Sequence, residues 1–474
     1  MINNNKITKV LLSFRKFFLG SGRYRLPILF VLALAASLSL SGGILFPNPL
    51  FTFNSSGVLS TFGKVDITNP FFRSLGTNGR SCNTCHVAGS AWSITPADVH
   101  AKFNATGGLE PIFRTNDGSN CPSADVSTPT ARASAYSMLL NKAVLRIAIA
   151  MPTNAEFQII DIQDPYNCPE TTTSNPAFYR RPLPSTNVNF LSAVMWDGRE
   201  TVFGAIPGKS LNLHQSLANQ AQDAVTGHAQ GAVPTAEQLA QIAAFETGIS
   251  TAQVFDARAG SLTASGATGG PFALSQQNTY IGINDALGGD PNGAPFDPKV
   301  FTLYESWTNA GSPFRRSVAR GEALFNNLPI PITDVVGLND ALKQPVIMGT
   351  CTTCHDTPNA GDHSLPLPLG IGTTAYPAKP ALDIAGLPVY TVQCIATGGT
   401  VQVTDIGRAM ISGKCADVGK VKGPILRGLA ARAPYFHNGG AKTLDDAVEF
   451  YNQRFNLALT RQQKTDLVAF LRTL

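Results

Sequence analysis

Residues 81–89 read SCNTCHVAG and residues 349–357 read GTCTTCHDT. Each stretch holds two cysteines separated by two residues, with a histidine directly after the second. They are Cys82, Cys85 and His86, then Cys351, Cys354 and His355. That spacing is the attachment pattern of c-type haem. Two thiols at this interval reach the two vinyl groups of one porphyrin, and the adjoining imidazole reaches the iron from the proximal side. A dithiol redox pair would not need histidine after both motifs. Zinc would need further Cys or His ligands at short spacing, which neither stretch has. The motifs are 269 positions apart, so each haem is expected to have its own domain.

The other four cysteines are Cys121, Cys168, Cys394 and Cys415. In an oxidising compartment, proximity pairs Cys121 with Cys168 and Cys394 with Cys415, although sequence does not fix connectivity. Export is read from the leader. A basic stretch precedes an apolar run from Leu26 to Leu40, and small residues follow from Ser39 to Gly43. This is the shape of a signal peptide over residues 1–41, with cleavage expected at Ser41–Gly42. The alternative is an uncleaved anchor extending to Phe46, long enough to cross a bilayer. The net charge of +5 is carried by that leader. Lys6, Lys9, Arg15, Lys16, Arg23 and Arg25 lie in it, no acid occurs before residue 50, and without those six the balance is −1. A nucleic-acid or polybasic membrane surface is therefore not expected.

With 43 Gly, 32 Pro and only 14% charged residues, the body is expected to be rich in loops. Residues 217–259 read as two helices and 260–300 as loop. Arg320 to Phe325 reads as a helix opening the second unit. At the C-terminus Thr460 and Gln463 form a capping box ahead of an apolar stripe, Leu467, Leu471 and Leu474. A helix, a CxxCH and a closing amphipathic helix are the bookends of a cytochrome c domain. The fold class is therefore expected to be mainly α. Two cytochrome c-like domains are expected, 55–310 and 311–474, with a boundary near 305–315.

Two further stretches join the CxxCH motifs: MWDGRE at 195–200 and GPILRGLAARAPYFHNGGAKTLDDAVEFYN at 423–452. Together, in this order, the four resemble the bacterial dihaem cytochrome c peroxidase family, which includes MauG, over most of the chain from about residue 60. The resemblance implies two covalently attached haem c groups, His86 and His355 as iron ligands, and a peroxidase-like enzyme. Hydrogen peroxide or another oxidant would meet the N-terminal haem. Electrons would arrive through the C-terminal haem from a periplasmic donor such as a small cytochrome c or a cupredoxin. Trp196 takes the position of the family's relay tryptophan between the haems; the alternative is an indole filling an interface, its N–H bound by a neighbour. A homodimer and a calcium ion between the domains are also family traits, and Asp285, Asp290 and Asp297 offer oxygens for the ion.

The proton-handling group departs from the family. Peroxide cleavage needs a side chain that takes a proton from one oxygen and returns it to the other. The family's carboxylate stands ten residues after a glutamine. Counting from Gln220 gives Gln230, an amide that cannot carry a proton. His228 can, and Gln220, Ala224 and His228 share one helix face at i, i+4, i+8. On a regular helix either His228 or Gln230 faces the haem, not both. His228 is also a candidate iron ligand in a resting state, with His100 as its rival; each is otherwise a solvated helix residue.

At the second haem the family's electron-transfer members use a methionine sulfur, which favours ferrous iron. The single methionine downstream of His355 is Met410, which is not at the ligand position. Tyr451 is, fourteen residues after His437, as in MauG. Thr443 caps the helix that carries it, and Leu444, Val448 and Tyr451 follow at i, i+4, i+7. The alternative is an ordinary packed tyrosine. His437 is expected to position the haem propionates or the loop, and Arg427 to pair with a propionate. Three functions follow: a peroxidase, a MauG-like oxidant of a protein or organic substrate, and a non-enzymatic dihaem electron carrier.

Overall fold

The structure is a computed structural model and describes residues 48–474 apart from Pro207 and Lys209. The signal-peptide and anchor readings of the leader lie outside the described residues. Among those residues no helix is long and apolar enough to cross a membrane. Asn48 to Leu474 is one compact unit by its contacts.

The fold is mixed rather than mainly α. Eleven strands are described, in four small sheets. The largest has the order β1 (Leu50–Asn54), β2 (Gly57–Phe62), β6 (Ser250–Asp256), β7 (Gly260–Ser261), all antiparallel. A three-stranded sheet joins β4 (Phe157–Gln163), β10 (Val389–Cys394) and β11 (Thr400–Val403). Two antiparallel pairs complete the set: β3 (Leu145–Ala148) with β5 (Ala177–Arg180), and β8 (Ile330–Thr333) with β9 (Val346–Gly349). The reason is local. FQIIDIQ in β4 and VYTVQC in β10 are β-branched and aromatic, and such side chains fit a pleated, half-buried surface. The sheet brings residue 157 beside residue 394, a pairing no local pattern announces.

Helices carry the haem motifs' surroundings. We use α1 (Pro96–Thr106), α2 (Leu213–Asp223), α3 (Ala236–Thr247), α4 (Pro313–Asn327), α5 (Leu444–Arg454) and α6 (Arg461–Leu471). The helices read at 217–259 are α2 and α3, but residues 250–256 of that stretch form β6. Helix α4 contains the Arg320–Phe325 segment. The boxes Thr443–Asp446 and Thr460–Gln463 cap α5 and α6. Cys121 is bonded to Cys168 and Cys394 to Cys415, as paired from the sequence.

The central apolar cluster lies where α4 crosses α6, and includes Val318, Phe325, Leu467 and Phe470. Gly321 makes the crossing close, since a Cβ there would stand 1.9 Å from the Asp466 carbonyl oxygen. The same Asp466 carboxylate accepts from Arg320 Nε at 2.8 Å, tying the two helices by charge as well as by packing. Phe325, at the end of α4, stands 5.8 Å from the His355 ring. A second aromatic cluster joins Phe71, Phe72, Trp92 and Phe245 of α3. Its Phe71 is 6.2 Å from His86. Each CxxCH histidine is thus backed by its own apolar core.

Candidate functional site

Both CxxCH motifs fold alike. Cys82–Thr84 and Cys351–Thr353 are single 3-10 turns opened by Ser81 and Thr350, each making a reciprocal box with the threonine three positions on. The turn brings the histidine N–H onto the first cysteine's carbonyl, 3.0 Å for His86 and 3.1 Å for His355. All four thiols are free of disulfides. Burial raises each of them, Cys85 to about 11 and Cys82, Cys351 and Cys354 to about 12. His86 Nδ1 is 3.0 Å from the Trp92 carbonyl oxygen, and His355 Nδ1 is 2.6 Å from that of Gly361. A carbonyl accepts only from an N–H, so Nε2 of both rings keeps a free lone pair for a metal.

Each motif opens into its own cavity. The first is lined by Cys82, Cys85, His86, Gln220, His228 and Arg427. Cys351, Cys354, His355, His437 and Tyr451 line the second. Trp196 lines both. It is 8% exposed, its Nε1–H donates to the Arg181 carbonyl at 2.8 Å, and its ring lies 6.2 Å from that of His437.

The charges fit an anionic cofactor. Arg181 and Lys422 line both cavities, Arg427 the first and Arg432 the second. Arg181, Lys422 and Arg427 are buried and Arg432 half-buried, and none pairs with a carboxylate among the described residues. Arg181 spends its donors on the carbonyls of Lys142, Ile94 and Arg432. Lys422 Nζ donates to the Ala193 carbonyl at 2.8 Å. Burial lowers Lys422 to about 8, Arg181 to about 9, and Arg427 and Arg432 to about 10. Arg432 Nε has no hydrogen-bond partner among the described residues. Unpaired buried cations are costly, and haem propionates would supply the missing negative charge. The free thiols, the free Nε2 atoms and these cations together fit haem c.

Arg427, expected from the sequence to pair with a propionate, stands in the wall of the first cavity and not of the second. Its guanidinium is held by the carbonyls of Leu474, Asn359 and Gly270. Arg432, five residues on, is the guanidinium with a spare donor at the second. His437 is 1% exposed with neither ring nitrogen bonded, and burial lowers it to about 4, so the ring is neutral. Burial pushes the Tyr451 phenol well up; without a cation opposite, that oxygen keeps its proton. Met410 packs in the sheet cluster with Tyr390 and Val392, away from the second cavity.

Of His228 and Gln230, the alternatives left open by the sequence, only His228 lines the first cavity. Helix α2 does not run on as a regular helix; a π-helical turn follows at Ala224–His228. Gln220, Ala224 and His228 line the first cavity together, whereas Gln230 is exposed, with φ at 54°. Its Oε1 accepts from Asn78 Nδ2 at 3.3 Å, outside the cavity. The extra residue of the π turn carries the chain out of the wall before residue 230. His100, on α1, is exposed and does not line either cavity.

Asp285, Asp290 and Asp297 close turns. Asp285 accepts from the Leu287 and Gly289 N–H groups, Asp290 from Asn284 and Asn292, and Asp297 from Lys299. Among the described residues no group of close metal-ligating atoms contains them. Sequence reading missed Asp117, whose carboxylate meets His228 Nδ1 and Arg80. Burial alone would raise it, but His228 and Arg80 hold it below the ordinary carboxylate range. It also missed Glu246, buried in the first cavity wall and raised by burial to about 7. Neither residue carries a local motif.

No family model matches the chain. It is similar to the cytochrome c peroxidase IdrP2 of Denitromonas iodatirespirans, 36% identical over 140 residues, covering 27% of this chain and 36% of that protein. The cytochrome c551 peroxidase of Nitrosomonas europaea is 41% identical over 69 residues, 14% of this chain and 21% of that one. The cytochrome c peroxidase Ccp of Escherichia coli is 38% identical over 77 residues, 16% and 17%. The matched stretch spans little more than a third of the length of these relatives at most. A solved MauG-like protein associated with microbial copper homeostasis aligns over 86% of both chains at 15% identity, with a TM-score of 0.37, too weak a likeness to bear on the fold. Over these stretches the chain is similar to bacterial cytochrome c peroxidases.

Proposed function

We propose that the chain is an exported, periplasmic dihaem c-type peroxidase that reduces hydrogen peroxide in the first cavity with electrons delivered through the second. The observation that carries this reading is Trp196, one indole in the wall of both CxxCH cavities. When bound, the haem c groups supply one-electron redox chemistry and an open coordination position. Cys82 and Cys85 would tether one group and His86 ligate it; Cys351, Cys354 and His355 would do the same for the other. A division into haem domains at 55–310 and 311–474 accompanies this reading.

The net reaction is H2O2 + 2 H+ + 2 e− → 2 H2O, the electrons coming from a small redox protein such as a cytochrome c or cupredoxin. The chain's own part is orientation and proton movement. Gln220 offers an amide to hold peroxide by hydrogen bonds. His228 takes a proton from one peroxide oxygen and gives it to the other as the O–O bond breaks. Trp196, oxidisable and in both walls, passes electrons between the cavities. The apolar packing behind His86 and His355 keeps water from the ligand side.

Purified haem-loaded protein should contain two haems per chain by the pyridine haemochrome assay and oxidise a reduced small cytochrome c when peroxide is added. His86→Ala should abolish that oxidation and leave the second haem bound. Two bound haems with no peroxide-dependent oxidation of any small donor would refute the reading.

A second reading, MauG-like oxidation of a protein or organic substrate, draws on one observation. Tyr451 lines the second cavity while Met410 is packed elsewhere. A phenolate is a hard anion that favours ferric and higher states, whereas a methionine sulfur favours ferrous iron.

A further inference from the structure

His228 is held from both ends. Its carbonyl oxygen accepts from Asn78 Nδ2 at 2.8 Å and from Arg80 Nη1 at 3.0 Å. Its ring Nδ1 contacts the Asp117 carboxylate Oδ2. The other oxygen of Asp117 accepts from Arg80 Nη1. Arg80 is itself fixed by the carbonyls of Pro111 at 2.9 Å and Ile112 at 2.7 Å. Arg80 and Asp117 are 3% and 5% exposed, so this scaffold is dry and rigid. Arg80 also stands two residues before Cys82, which ties the scaffold to the first CxxCH turn.

The chemistry of such a contact is specific. An ionised carboxylate accepts from Nδ1–H and thereby leaves Nε2 as the unprotonated nitrogen. Nε2 is the ring atom not committed to the protein, and His228 lines the first cavity. The π turn at Ala224–His228 serves the same end, because it changes the direction of the last residue of the helix. A plain Arg80–Asp117 ion pair would not need a ring on its second oxygen.

We propose that Asp117, anchored by Arg80, is the positioning residue that fixes the tautomer and direction of His228, so that Nε2 meets the first cavity as a proton acceptor. This rests on His228 handling the peroxide protons. Asp117 touches no reacting atom and acts only through the ring.

The test uses the full haem-loaded protein with His228→Gln, Asp117→Asn and the double variant. Two rates are measured by stopped-flow absorbance, with peroxide and with cyanide, because hydrogen cyanide must also give up a proton on binding. His228→Gln should slow both by about 100-fold, and Asp117→Asn by about 10-fold or more. The double variant should match His228→Gln within about twofold. If Asp117→Asn slows the His228→Gln protein as much as it slows the unmodified one, Asp117 acts through the fold and the proposal fails. It also fails if Asp117→Asn changes neither rate while His228→Gln slows both. If His228→Gln itself changes nothing, the proton role of His228 falls, and this inference with it. Should Asp117→Asn not load haem, Asp117→Glu keeps the charge with a different reach and is read in the same way.

Discussion

The indole N–H of Trp196 donates to the carbonyl oxygen of Arg181 at 2.8 Å, and both residues stand in the walls of both cavities. The bond fixes the ring plane, and the neighbouring His437 ring packs edge to face at 6.2 Å. The N–H is thus bound by a neighbour, as the packing reading has it, and the ring stands in both walls, where the relay reading needs it.

Trp196→Phe separates the two. If the indole carries electrons, donor-driven turnover should fall about tenfold or more, which is ~1.4 kcal/mol of barrier. The reaction of pre-reduced protein with the first equivalent of peroxide should be unchanged. The lost hydrogen bond should cost about 1 kcal/mol of stability. Equal turnover in variant and parent would leave Trp196 a packing residue.

Tyr451→Met should raise the potential of the second haem and leave that of the first where it was, because a thioether stabilises ferrous iron and a phenolate does not. Spectroelectrochemical titration resolves the two haems. An unmoved second potential would return Tyr451 to the apolar cluster it shares with Phe450 and Phe455.

Gln230→Glu would restore the family's carboxylate by counting, but the side chain lies outside the cavity. The peroxide rate should therefore stay within about twofold of the parent. A large acceleration would mean that the chain after the π turn enters the cavity.

Glu246 gives a pH dependence. Burial raises it from the ordinary 4.5 to about 7. A folded state that holds its proton longer than the unfolded chain loses stability as pH climbs from 4.5 to 7, and the loss is complete above that. The full shift corresponds to about 3 kcal/mol. Denaturant melts of the haem-loaded protein should show Glu246→Gln gaining on the parent between pH 5 and pH 8. Parallel curves across that range would mean that the Glu246 carboxyl is not desolvated.

The chemistry was more legible in the sequence than the architecture. CxxCH needs only local spacing, so both attachment turns were readable, as were the caps at Thr443 and Thr460. The sheets were not, because β4 and β10 pair across more than 220 positions and the helical pattern dominates around the motifs. Counting from Gln220 gives Gln230 because a count along the chain carries no geometry, and residue 230 lies past the π turn and outside the cavity lining. Asp117 lies 111 positions before His228 and has no periodicity to mark it. The buried cations are legible only in part: Arg181 and Arg432 look like surface charge until the burial of their surroundings is known.

The most direct test of peroxide chemistry at the first cavity is electron paramagnetic resonance of the exported, haem-loaded protein, before and after peroxide and again after one-electron reduction. One high-spin, five-coordinate ferric haem whose signal is lost quickly on adding peroxide is the expected result. Two low-spin haems, inert to peroxide even after one-electron reduction, would contradict it and make the chain an electron carrier.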